Sequence, residues 1–243
     1  PKAVFQTLVA PHKTIEELIK NDKLKAVTLT GSEKAGKSIA EQCGNLLKKT
    51  VLELGSNDAY IVLNDADLDQ AVKMCVQGRI YNNGETCVAA KRFIVEAGIY
   101  DEFKEAFVEK MKAVKFGDPT GDEAKIGPMA RKDLREKLHN QVEESVKKGA
   151  KVLCGGQRPA GFNKGYFYEP TIFDNVKDNF KIMTVEPFGP LSPITTFKSF
   201  DEVIERANNH SAGLAGYVCT SSMDLAYKTS ESLETGMVAV NTP

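Results

Sequence analysis

Short β-forming runs and amphipathic helical stretches alternate from one end of this chain to the other, and few architectures accept that order. Leu24–Thr30 alternates and is rich in β-formers, Gly31 turns the chain, and a helix follows through Ile39 and Ala40. Upstream, Thr14-Ile15-Glu16-Glu17 reads as a capping box ahead of a short helix carrying Leu18 and Ile19. The apolar stretch at Val51-Leu52 precedes a strand expected at Ala59 to Leu63, and Asp67 has the position of an N-cap for a helix with Leu68, Ala71, Val72, Cys75 and Val76 on one face. Ile99, Phe103, Phe107 and Met111 recur every four residues as the core stripe of a helix; Leu134, Leu138, Val142 and Val146 form a second, ending near Gly149. Strands are expected near 92–96, 151–154, 194–197, 214–220 and 237–241, with Ser199-x-x-Glu202 capping one further helix. This alternation predicts an α/β fold built on a parallel sheet.

Composition removes several functional classes. Across 243 residues, 32 Lys and Arg stand against 33 Asp and Glu, a charge of −1, too even for a protein that grips nucleic acid with a basic surface. Apolar runs such as Tyr60-Ile61-Val62-Leu63 are too short to span a bilayer, and Pro1-Lys2-Ala3-Val4-Phe5 lacks the form of a signal peptide. The five Cys, at 43, 75, 87, 154 and 219, are odd in number and form no C-x-x-C pair, and three His supply no zinc set. The expectation is free thiols in a reducing compartment, the cytoplasm, with no metal and most thiols in the core. Both ends lack the polar, frayed character of complete termini, which predicts a fragment.

Gly31-Ser32-Glu33-Lys34-Ala35-Gly36-Lys37-Ser38 satisfies G-x-x-x-x-G-K-[ST] between a strand and a helix. A helix N-terminus favours an anion, and Asp65 could pass for the strand-end carboxylate that holds Mg²⁺ in nucleotide triphosphatases. A triphosphatase is therefore one reading, and a plain β-to-α turn with a solvated Lys37 is another.

Four segments in order point elsewhere. Thr30-Gly31-Ser32 with Gly36, Leu52-Glu53-Leu54-Gly55, Asn83-Gly84-Glu85-Thr86-Cys87 and Glu186-Pro187-Phe188-Gly189-Pro190 resemble four motifs of the aldehyde dehydrogenase superfamily. They correspond to its dinucleotide turn, its E-L-G-G segment, its G-Q-x-C nucleophile segment and its E-x-F-G-P cofactor segment. The resemblance extends through Asn64-Asp65-Ala66-Asp67-Leu68 to the final Gly236–Asn241 strand, and four ordered motifs outweigh one eight-residue match. It implies a catalytic domain with a parallel sheet over residues 53–243 and a remnant of a Rossmann-like NAD- or NADP-binding domain over 1–52.

The chemistry suits the residue types. An aldehyde gives up hydride readily once a nucleophile has made it tetrahedral, and Cys is the strongest side-chain nucleophile. By resemblance, Cys87 forms a thiohemiacetal, hydride passes to the nicotinamide, and Glu53 activates water to hydrolyse the resulting thioester. Gly31 and Ser32 would meet the pyrophosphate, Glu186 the nicotinamide ribose, Phe188 the ring, and the Leu54 carbonyl the amide. The competing readings are a core Cys, a salt-bridged structural Glu53 in an apolar strand, and a Pro-rich surface turn at 186–190.

Departures from the pattern matter too. Leu29 replaces Phe, Ser56 replaces a Gly, Val185 replaces a Glu, and Glu85 stands where Gln is usual. A carboxylate facing Cys87 would disfavour its thiolate, so Glu85 must either turn away or pair with a cation such as Lys91 or Arg92; the sequence leaves both open. The family's upstream oxyanion Asn and adenine-ribose Lys have no counterpart, so the fragment alone is expected to be inactive; the resemblance separately implies a homo-oligomer for the full-length protein. Leu54–Ala59 and Ala89–Phe93 look most like the succinate-semialdehyde branch. An inactive scaffold module is the remaining alternative.

Overall fold

A computed structural model describes residues 3–121 and 123–243, and the chain divides into two compact units, one ending at Gly55 and one beginning at Ser56. The sequence reading drew its boundary at 52/53, so Glu53 and Leu54 fall in the first unit rather than the second.

The first unit contains helix α1 (His12–Lys20), strand β1 (Ala26–Thr30), helix α2 (Glu33–Asn45) and strand β2 (Lys49–Glu53). α1 starts two residues ahead of the expected capping box: Pro11 is its N-cap, in an extended conformation, and Thr14 lies inside the helix. β1 and β2 pair in parallel, with Thr30 opposite Glu53. Between them the chain turns in two residues, Gly31 and Ser32, and Ser32 Oγ accepts from Ala35 N at 3.3 Å to cap α2. Gly36 packs closely on the end of the strand that follows: a Cβ there would lie 2.6 Å from Leu54 Cδ2.

The second unit follows as β3 (Ala59–Val62), α3 (Leu68–Ile80), a 3₁₀ turn (Tyr81–Gly84), β4 (Arg92–Glu96), α4 (Tyr100–Lys112), α5 (Lys132–Lys147), β5 (Lys151–Cys154), β6 (Thr171–Asp174), α6 (Lys181–Thr184), β7 (Leu191–Phe197), α7 (Phe200–Asn208), β8 (Ala215–Cys219), α8 (Met223–Ser232) and β9 (Met237–Val240). Its seven strands run in the order β5-β6-β7-β4-β3-β8-β9. Every pair is parallel except β5 with β6, so the sheet is mixed, with one antiparallel edge strand that alternation alone did not predict.

β3 shows why its four residues are all apolar. Tyr60 and Val62 face a core with Val72, Cys75, Phe103 and Phe107 of α3 and α4, while Ala59 and Ile61 face Phe197, Val203 and Leu233 on the other side. A strand with both faces covered has no polar side to alternate. Two of the three predicted caps behave as expected: Asp67 accepts from Gln70 N at 3.0 Å, and Ser199 from Glu202 N at 3.3 Å. Sequence patterning missed β6, α6 and α8. β6 has only four residues and follows a proline, and α6 is a single turn.

Candidate active site

The Gly31 turn and Glu53 meet at the C-terminal ends of β1 and β2, where open parallel sheets bind ligands. Gly31 N donates to the Glu53 carbonyl at 2.9 Å, so that N–H is already engaged. Beside the turn a cleft of about 520 Å³ is lined by Ile15, Leu29, Ser32, Lys34, Ile39 and Gln42 among others. Apolar walls next to the N-terminus of a 13-residue helix suit the adenosine and phosphates of a dinucleotide. The Glu53 side chain is exposed, which corrects the expectation of a costly carboxylate in an apolar strand: β2 has four of its five residues on the surface of this chain.

The triphosphatase pattern is not laid out as a phosphate loop. In such a loop the G-K-[ST] residues open the helix, but α2 begins at Glu33, so Gly36, Lys37 and Ser38 lie within it. Lys37 is exposed and pairs with Glu33 at 2.5 Å along that helix. Asp65 lies in the turn after β3, a strand of a different sheet from β1, and is engaged as an acceptor for Thr220 Oγ1 at 2.7 and 2.8 Å and Ser221 N at 3.1 Å.

Cys87 sits in the second unit, half-buried, just past the 3₁₀ turn. Three consecutive residues there, Asn82, Asn83 and Gly84, have φ of 49°, 60° and 71°, a left-handed run that Asn and Gly tolerate best. Side-chain bonds hold the run in place, two of them across more than 40 residues. Asn83 accepts from Gly127 N at 2.8 Å and donates to Pro128 O at 2.9 Å, and Arg79 Nη2 donates to Gly84 O at 2.8 Å. On the far side, Tyr217 donates its hydroxyl to Val88 O at 2.6 Å, its ring stacked on Tyr60 at 4.9 Å. Gly84 admits no side chain: a Cβ would meet Gly189 O at 2.7 Å and Arg79 O at 2.8 Å.

Glu85 is held by a backbone N–H rather than by a cation. Its carboxylate accepts from Ala130 N at 3.1 and 3.2 Å, and burial pushes its pKa up. Neither cation considered for it is its partner. Arg92 donates to the carbonyls of Asn57, Arg206 and Ala207, at 2.6, 2.8 and 2.8 Å. Lys91, with a fully buried side chain, donates to the Cys87 carbonyl and stands 3.0 Å from Glu186 Oε1. That oxygen lacks a well-angled hydrogen bond, so the contact is an ion pair more than a directed bond.

Glu186 and Phe188 line a cleft of about 330 Å³ against α5, with Lys137 and Gln141, and Gln141 Nε2 donates to the Val185 and Glu186 carbonyls at 3.3 and 3.4 Å. Arg79 is fully buried; burial pulls its pKa down while the Glu186 carboxylate pushes it back up. The structure thus gathers Cys87 and Glu186 in one unit, and Gly31, Ser32, Glu53 and Leu54 in the other. Arg79 and Tyr217 escaped sequence reasoning because each acts from a regular element that reads as core. Of the remaining thiols, Cys43, Cys75 and Cys219 are buried, and Cys154 is half-buried at the sheet edge.

A family model described as the aldehyde dehydrogenase family matches residues 1–243. The chain is 44% identical over 241 residues to the succinate semialdehyde dehydrogenase [NAD(P)+] Sad of Escherichia coli strain K12, covering 99% of this chain and 52% of that protein. It is 42% identical to the succinate-semialdehyde dehydrogenase [NADP(+)] of Mycobacterium avium strain 104, with 99% and 51% covered. The solved structure of Gox0499, described in terms of cofactor and substrate selection, superposes with a TM-score of 0.93 at 41% identity, over 96% of this chain and 51% of that one. The chain therefore spans about half the length of the relatives it matches. With the family model matched from first residue to last, the chain belongs to the aldehyde dehydrogenase family.

Proposed function

We propose that the protein carrying this chain oxidises an aldehyde to a carboxylic acid with NAD or NADP, through Cys87. The observation that carries the reading is the turn at 82–87, where a left-handed run tied to Arg79 and to Pro128 ends on a half-buried thiol whose backbone carbonyl shares the Lys91 ammonium with Glu186. In this reading Cys87 adds to the carbonyl carbon and later holds the acyl group as a thioester. The cofactor, when bound, supplies the hydride acceptor. Gly31 and Ser32 lie at the pyrophosphate, Ser32 through the helix end that it caps; with the Gly31 N–H engaged by Glu53 O, Gly31 contributes shape more than a donor. The Leu54 carbonyl receives the carboxamide, Glu186 the ribose hydroxyls, and Phe188 packs on the ring. Glu53, free of burial cost at its strand end, takes the proton of the hydrolytic water.

The substrate we favour is succinate semialdehyde, the aldehyde in the names of the E. coli and M. avium relatives. Residues 1–52 then act as part of a cofactor domain and 53–243 as catalytic domain, and this chain alone is inactive. The intact protein is a cytoplasmic homo-oligomer that binds neither nucleic acid nor membrane; no helix among the described residues is long and apolar enough to cross a bilayer. Steady-state oxidation of an aldehyde panel by the intact protein, with NAD⁺ and NADP⁺, tests this. A preference for the carboxylated aldehyde, lost in Cys87→Ala, is expected; Cys87→Ala activity equal to wild type would reject the nucleophile, and absence of a preference would reject the substrate.

A further inference from the structure

We propose that Lys91 is a positioning residue that couples the two halves of the second unit's site. One buried ammonium holds the Cys87 backbone carbonyl and the Glu186 carboxylate together, so that what binds at Glu186 is felt at Cys87. The proposal rests on Cys87 as nucleophile and Glu186 as the cofactor's carboxylate, and it adds the link between them.

The Lys91 side chain is 0% exposed, at the foot of β4. An ammonium in that position is costly unless partnered, and its partners here are both functional: the Cys87 carbonyl four residues back and Glu186 Oε1 at 3.0 Å. Burial and the neighbouring Arg79 work against its charge, while Glu186 and the buried Asp58 sustain it. Glu186 faces both ways: Oε1 is buried on the lysine side, yet the side chain is 23% exposed and lines the open cleft with Lys137 and Phe188. Hydroxyls donating to Glu186 from that cleft share its negative charge and loosen its hold on Lys91, which then binds the Cys87 carbonyl more tightly. By linkage the effect is reciprocal: the state of Cys87 changes affinity at Glu186 by the same factor.

The test uses the intact protein, with iodoacetamide alkylation of Cys87 followed by peptide mass spectrometry, with and without saturating NAD⁺ or NADP⁺. In the wild type the cofactor should change the alkylation rate by about fivefold or more, in the range usual for coupled sites. Lys91→Met should bring that ratio close to one and raise the cofactor KM more than it lowers kcat, while Lys91→Arg restores the ratio. A general loss of structure would not produce that split or that rescue. A folded Lys91→Met protein with the wild-type ratio overturns the proposal, as does a wild type without coupling. Aldehyde oxidation by Cys87→Ala is measured in parallel; wild-type activity there sinks the underlying reading instead. Should Lys91→Met not give a cooperative thermal melt, Lys91→Gln, which keeps a donor but no charge, takes its place with the same expectations.

Discussion

Two turns in this molecule carry the residues proposed for binding and chemistry, and they are built in opposite ways. The Gly31–Ser32 turn is local: two residues, one helix cap at 3.3 Å and one backbone bond to the neighbouring strand. The Asn82–Cys87 turn is held mostly from far along the chain, by the Gly127–Pro128 segment and Ala130, with Arg79 five residues before Gly84 and Tyr217 on the adjoining Val88, around three left-handed residues. A site that offers a helix end to a phosphate needs only the helix. Placing one sulfur to a fraction of an ångström requires a supporting shell that fixes its backbone.

If that contrast holds, substitutions should cost more around the second turn than around the first. Gly84→Ala is expected to be the most damaging, at about 3 kcal/mol or more, because it combines a φ of +71° with backbone oxygens 2.7 and 2.8 Å from the new Cβ. Urea melts of the variant measure it, and a loss under 1 kcal/mol would show that the turn can relax. Arg79→Met should follow at about 2–3 kcal/mol, since it removes a charged donor from the Gly84 carbonyl at the core of the site. The same melts, read with the alkylation rate of Cys87, should show both falling together.

Gly36→Ala probes the local turn and should be milder, at about 1–2 kcal/mol. Its Cβ meets only the end of the Leu54 side chain, which can swing aside at the cost of shifting the Leu54 backbone. A rise in cofactor KM with little change in kcat is the expected kinetic trace. The smallest effect belongs to Glu85→Gln. Burial raises the Glu85 pKa in the folded state, so its contribution to stability is complete below the unfolded value and is lost as pH rises through the folded one. The amide should therefore leave stability unchanged near pH 4 and raise it slightly at pH 7, the gain kept small by solvent screening. Thermal melts at the two pH values decide it; a destabilised variant at pH 7 would mean that the negative charge on Glu85 matters to the Ala130 contact.

The contrast also explains what could be read in advance. Locally encoded features were legible: the caps at Asp67 and Ser199, the Phe103/Phe107 stripe and most strands. Features that depend on distant partners were not. Nothing near Arg79 announces that its guanidinium reaches Leu191, 112 residues on, or that Tyr217 fastens Val88 across 129 residues. The direction taken by Glu85 was equally hidden, because Ala130 lies 45 residues downstream. The triphosphatase pattern failed for a related reason: it fixes residue types, whereas the backbone had already entered a helix at Glu33.

The central claim is that one thiol of five is built to react, and competitive labelling tests it most directly. Cys43, Cys75 and Cys219 are 0–1% exposed, and burial raises the pKa of the half-buried Cys154, which slows its attack. With a limiting aldehyde-mimicking electrophile on the intact protein, peptide mass spectrometry should find Cys87 modified at least about tenfold faster than Cys154, with the other three silent. Equal labelling of Cys87 and Cys154, or unchanged total labelling in Cys87→Ser, would contradict the account.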